Sequence, residues 1–183
     1  HSLARSLISA ANQGNFKPSP APSMKVRASE IELGIDNFML SLATLVGIVD
    51  SDPKLHFTPP FVRYLSEVAY IKLGNATITA IPGELYPEIA VGGIENPYGA
   101  DFETAPQEVP NLRSQLPGEV NLMVNLANDA IGYIIPRSEW DDATPWIYGE
   151  EEETYGEIVS LGPDTGPDIH RAILDLVKSA PQK

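Results

Sequence analysis

Apolar residues recur along this chain with two different periods, and the switches between them divide it into elements. Residues 24–35 alternate with period two, as a half-buried strand does. Residues 66–73 and 76–81 alternate likewise and are joined by Gly74-Asn75, a hairpin turn signature. A fourth strand is expected from residue 120, where Val120, Leu122, Val124 and Leu126 alternate with Asn121, Met123 and Asn125, so that the apolar set would face inward. Asn128-Asp129 breaks this strand, because both side chains bond their own backbone in turns. Gly132, Tyr133 and the pair Ile134-Ile135 follow, and Pro136 stops any regular element. Helical spacing marks residues 2–13, with Leu3, Leu7, Ile8 and Ala11 on one face and Gly14 at the end. It also marks residues 168–179, where Ile169, Ala172, Ile173, Leu176 and Val177 form a stripe to be buried and Lys178 suits the C-terminal end. The apolar run over residues 38–49 reads as a core helix with Asp36 as its N-cap.

Between these elements lie a Pro/Ser-rich connector at residues 14–23, an irregular stretch at 50–60 and a short helix over 85–91 that Pro87 limits to its first turn. Residues 95–118 form a long loop rich in Pro, Gly and acids, and loops of that length are usually functional or mobile. Residues 137–140 suit one helical turn, residues 141–157 mix Pro, aromatics and four consecutive glutamates, and residues 163–167 read as a turn. Strands and helices in this order predict an α/β fold, a mixed sheet with flanking helices, in one lobe spanning residues 1–183. No internal repeat is visible.

Composition narrows the functional classes. The 183 residues are 43% hydrophobic and 20% charged, which suits a globular chain with a sizeable core. Twenty-five acids against 12 bases give a net charge of -13, which argues against sequence-independent nucleic-acid binding and against docking to anionic lipid. Absence of cysteine excludes disulfides and cysteine zinc sites but settles no compartment. The run at residues 38–49 is too short to span a bilayer. A start at His1 without methionine is expected of a processed or truncated product.

Candidate chemistry is sparse. His1, His56 and His170 share no i, i+4 spacing and no HExxH pattern; His56 is expected on the surface and His170 facing solvent. No GxSxG, phosphate loop or dinucleotide fingerprint is present. Residues 150–153 read as a solvated acidic loop, and Asn75-Ala76-Thr77 matches a glycosylation sequon. Glu84 follows a strand directly, after Pro82-Gly83, and strand ends are where sites sit in open α/β sheets. Such an acid more often caps or pairs than catalyses. Tyr133 has two readings: a half-buried core tyrosine whose hydroxyl finds a partner, or a phenol that faces a site together with Glu84.

Two segments resemble the neutral/alkaline (non-lysosomal) ceramidase family: ITAIPGE at residues 78–84, and NLANDAIGY at residues 125–133 continuing through Ile134-Ile135. Ser160-Leu161-Gly162-Pro163 resembles that family's later Gly-Pro segment. The resemblance implies that this chain is the C-terminal part of a catalytic domain and that Glu84 and Tyr133 are zinc ligands. Two histidine ligands are then expected outside the chain, from a region preceding His1. It further implies a zinc-dependent amide hydrolase that splits an N-acylsphingosine or related lipid amide into fatty acid and amine, in a secreted or periplasmic protein of sphingolipid metabolism. The implied partners are the remainder of the catalytic domain and the lipid-amide substrate. The residue types suit that chemistry: a carboxylate is an ordinary oxygen ligand of zinc, and a phenol with a pKa of about 10 ligates where the cation stabilises its phenolate. Ala130 stands where the family has a first tyrosine, and Asp164 where many members have histidine. The alternative is a binding or structural lobe of the same fold without the metal.

Overall fold

The computed structural model describes residues 2–14, 23–49 and 53–179. In chain order the elements are α1 (Ser2–Asn12), β1 (Met24–Gly34), α2 (Phe38–Leu45), β2 (Lys54–Leu55), β3 (Val62–Leu73), β4 (Ala76–Ala80) and β5 (Glu84–Leu85). Then come α3 (Pro87–Val91), α4 (Leu112–Gln115), β6 (Val120–Val124), β7 (Tyr133–Ile134), α5 (Tyr155–Ile158) and α6 (Thr165–Ser179). The main sheet has the order β1-β3-β4-β6, with β2 also on β3; β6 runs parallel to β4 and the other pairs are antiparallel. β5 and β7 form a separate parallel pair. This mixed sheet with flanking helices is an α/β architecture.

Strand β3 is the spine of the sheet. Val62, Tyr64, Ser66, Val68 and Tyr70 alternate onto the covered face, where aromatic and β-branched side chains pack well on a pleated surface. The strand begins before the expected Ser66, because β1 pairs with it down to Gly34 opposite Arg63. Helix α6 lies against β1 and β3 and buries Ile169, Ile173 and Leu176. It starts at Thr165, inside the stretch read as a turn, since Pro167 falls in the first turn, where a missing N–H costs nothing. Tyr64, Val68, Ile81, Ile89, Ile134 and Ile169 share one core cluster with α4's Leu112.

Several expectations need correction. The strand over β6 forms, but with the opposite face inward: Val120, Leu122 and Val124 are exposed, while Asn121 and Met123 are half-buried. Asn121 is the cause. It stands opposite Thr77 in the ladder, is hydrogen-bonded to the Thr77 hydroxyl, and donates its amide to the carbonyls of Leu116 and Gly118. With a side-chain period of two, fixing Asn121 inward sends every neighbour outward. Helix α2 ends at Leu45 and is not a core helix: Phe38, Met39, Leu42 and Leu45 are exposed, and only Thr44 of the helix is buried. A helix apolar all round gives no sign of which side will be covered. Its N-cap is Asn37, whose side chain accepts from the Leu40 N–H at 3.1 Å, while the Asp36 N–H donates to Leu161 O.

The long loop at residues 95–118 is in part ordered by packing. Asn111 caps α4 through Ser114 N, Leu112 and Leu116 enter the core, and the buried Glu108 accepts from Arg137 N at 3.0 Å. His170 does not face solvent; it is 4% exposed, with Nε2 2.8 Å from Pro110 O, because α4 and its approach cover that side of α6. His56 is on the surface as expected, paired with Glu32. Helix α1 forms, yet its face of Leu3, Leu7, Ile8 and Ala11 is exposed. The expected connector at 14–23 falls, apart from its two ends, outside the described residues, as do residues 50–52 of the irregular stretch. Among the described residues no helix is long and apolar enough to cross a membrane.

Candidate functional site

The chain leaves β4 at Ala80 and passes through Ile81-Pro82-Gly83 into β5, while Asn128-Asp129 turn it from β6 toward β7. The two connections are laced together. Ile131 N donates to Pro82 O at 2.9 Å, Glu84 N to Gly132 O at 2.9 Å, Leu126 N to Gly83 O at 3.2 Å and Tyr86 N to Ile134 O at 3.1 Å. Glycine is required twice. A Cβ on Gly83 would lie 2.5 Å from Gly132 O, and one on Gly132, at φ +91°, would lie 1.8 Å from Val159 O. These two positions let three backbone segments close on one another, and each precedes a residue of interest.

Glu84 and Tyr133 are direct partners in the β5–β7 ladder. Partners in adjacent parallel strands present their side chains on the same face about 4.8 Å apart. Both residues are half-buried. The Glu84 carboxylate accepts from the Tyr133 phenol and, with its charge, holds that phenol's pKa above the usual tyrosine value. Tyr133 is braced by two rings: Tyr86 and Tyr155 each stand edge-on with centroids 6.0 Å away, at 82° and 77°. Burial, then the nearby Glu157 charge, pushes the Tyr86 phenol up to about 12. Behind the pair, Tyr133 N donates to Val159 O at 3.3 Å and Ser160 Oγ to Tyr133 O at 2.8 Å. Val159 and Ser160 therefore support β7 from the side opposite β5.

No family model, no curated protein and no solved structure matches this chain. The chemistry of the pair thus rests on its own donors. Carboxylate and phenol are two oxygen donors of a kind zinc accepts, and the ladder brings the residues that carry them side by side. Zinc takes four ligands, and among the described residues no group of three His, Asp or Glu is placed to hold one ion. The pair fits as part of a metal site and is not a complete one. His56 is paired with Glu32 and the His170 ring with the Pro110 carbonyl, so each histidine has a partner of its own.

Two supporting features escaped sequence reasoning. Asp129, read only as a turn former, accepts from the Tyr64 and Ser66 hydroxyls at 3.0 Å each and from Ala130 N at 2.8 Å, which ties the turn before β7 to β3. The alternating hydroxyls of β3 were the available signal, since buried hydroxyls need a partner. Tyr86 and Tyr155 carried no signal, because edge-on ring contacts across distant segments leave no spacing in the sequence.

Proposed function

We propose that this chain contributes Glu84 and Tyr133 to a zinc-dependent amide hydrolase that resembles the neutral ceramidases and acts on an N-acylsphingosine or a related lipid amide. The single observation behind this reading is the pairing of Glu84 with Tyr133 in register across β5–β7, carboxylate against phenol. It is strengthened by the way Gly83 and Gly132, from the two segments that carry the resemblance, permit that approach.

In this reading Glu84 and Tyr133 hold one side of the metal, and two histidines from outside the chain hold the other. Zinc, when bound, supplies Lewis acidity that activates water at neutral pH and polarises an amide carbonyl. The chain's own residues orient and hold protons. Glu84 is positioned by its backbone bond to Gly132 O, and Tyr133 by Ser160 and the two edge-on rings. Tyr86 keeps its proton throughout neutral pH and is a hydrogen-bond donor beside the pair.

The test is metal analysis of the intact protein after zinc loading, together with fatty-acid release from an N-acylsphingosine. Expected is one zinc per protein, lost in Glu84→Ala and reduced in Tyr133→Phe, with hydrolysis lost in both and on chelation. A folded protein whose zinc content is nil, or indifferent to Glu84→Ala, overturns the proposal and favours a binding lobe without the metal.

A further inference from the structure

Strand β1 is an edge of the main sheet along its whole length. Its 11 residues pair with β3 in one unbroken register, from Met24 opposite Leu73 to Gly34 opposite Arg63. Among the described residues no other strand pairs with it. In an antiparallel ladder alternate residues turn their N–H and C=O outward, so the outer side of β1 presents a row of backbone donors and acceptors. It holds no proline and no bulge, two devices that close such an edge.

A second observation gives the edge a shape. Between β1 and α6 lies a groove of about 660 Å³, lined by these two elements and by no residue of β3, so it opens on the outer side of β1. Ile31 and Leu33 of β1 and Ala172 and Leu176 of α6 supply its apolar surface. Asp168 and Asp175 supply acids, and Arg171, also in the lining, is paired with Asp168 at 2.9 Å. On an added strand, side chains opposite Ser29, Ile31 and Leu33 would share their face and enter this groove. The alternate side chains would lie beside Ala28 and Glu30 on the other face. There Glu30 stands directly opposite Glu67, and the Asn128 amide that reaches Glu67 at 3.1 Å carries no charge. Like charges so placed destabilise a ladder, and a cation beside Glu30 would offset that repulsion.

We infer that β1 and α6 form a docking groove for an extended peptide that adds as a strand to β1, apolar toward α6 and basic toward Glu30. In strand addition the main-chain bonds supply affinity and the alternate side chains supply selectivity. A second copy of this chain would bring the same acids and a further charge of -13 to the edge, so a basic segment is the better complement. The inference stands independently of the hydrolase reading, since neither Glu84 nor Tyr133 lines the groove.

Fluorescence anisotropy of a labelled heptapeptide of alternating Lys and Val, titrated with the full chain at physiological salt, tests it. Expected is saturable binding of one peptide per chain, weakened about tenfold in Ala172→Arg, which fills the groove. Ala172 is half-buried, so the exposed sites Asp175→Lys and Glu30→Lys are the safer companions, each expected to weaken binding several-fold. The control Glu151→Lys makes the same charge change at an exposed position outside the groove and is expected to bind as the parent does. Of two N-methylated peptides, one methylated at every Val and one at every Lys, one is expected to bind and the other not, because only one set of N–H groups faces β1. Absence of saturable binding overturns the inference, as does equal weakening in Glu151→Lys or no difference between the methylated peptides. A dimer of the free chain that Ala172→Arg dissociates also overturns it, by giving the edge to a second copy.

Discussion

The two faces of the main sheet obey different rules. On the face under α6, Leu33, Val68 and Tyr70 are buried beside polar residues, among them Ser66 and Thr77, which have hydrogen-bond partners in Asp129 and Asn121. On the other face Met24, Val26, Leu73, Val120 and Leu122 share a largely apolar surface that is exposed. Alternation reveals that a strand has two unlike sides, but not which side will be covered. Here specific polar contacts decide, and the covered face is the less apolar one in β4 and β6. The same division separates β5–β7, whose backbone is tied by hydrogen bonds to neighbouring segments, from α2, whose apolar residues are mostly exposed.

The comparison predicts a large difference between substitutions of similar chemistry. Ile134 is 0% exposed and lies directly behind the Glu84–Tyr133 pair. Ile134→Ala is expected to cost about 2–5 kcal/mol in urea unfolding, through lost burial and the cavity left behind. A cost near zero would mean that the covered face is no better packed than the open one. Gly132→Ala comes next, at about 1–3 kcal/mol or more, because it combines a disfavoured positive φ with a clash against Val159 O. If the variant folds, the Tyr133 phenol should move away from Glu84, and its absorbance titration should shift back toward the ordinary tyrosine value. Asp129→Ala should cost about 1–3 kcal/mol by leaving the Tyr64 and Ser66 hydroxyls short of an acceptor.

Which parts were legible follows from the same contrast. The sheet strands and α6 could be read because their periodicity is strong, and the nearness of Glu84 to Tyr133 because each lies just past a strand; their role as metal ligands rests on the resemblance alone. The placement of β6 could not be read, since it turns on one contact between Asn121 and Thr77. Nor could the exposure of α2, where no polar position marks an outer side. His170 was misjudged because its cover is α4, a single turn within what reads as loop. Asn37 rather than Asp36 is the cap because its side-chain oxygen is the one that reaches the Leu40 N–H, three residues on.

The acidic side of the molecule offers a test by pH. Burial first, then other charges, raises the carboxyl pKa values of Glu139 and Glu157 above 4.5. A raised folded-state pKa means that the folded protein binds protons more readily than the unfolded chain. The stabilisation is therefore fully present below about 4.5 and lost as pH rises through the folded values. Thermal melts of the parent should fall between acidic and neutral pH more steeply than those of Glu139→Gln/Glu157→Gln. Parallel curves would show that these two carboxyls do not set the trend.

The smallest effect is expected on the open face, and it is the one that separates pattern from packing. Leu122 is 50% exposed and stands opposite Ile78. Leu122→Thr keeps a residue that favours strands and removes apolar area of which half already meets water, so the change should stay within about 0.5 kcal/mol. By contrast Thr77→Val, on the neighbouring strand but the covered face, takes the donor from the Asn121 side-chain oxygen and should cost about 1 kcal/mol although it adds apolar surface. In one strand pair, making the outside more polar would then be tolerated while making the inside more apolar would not. The reverse ranking in urea midpoints would show that hydrophobicity, rather than the Asn121–Thr77 contact, sets which face is covered.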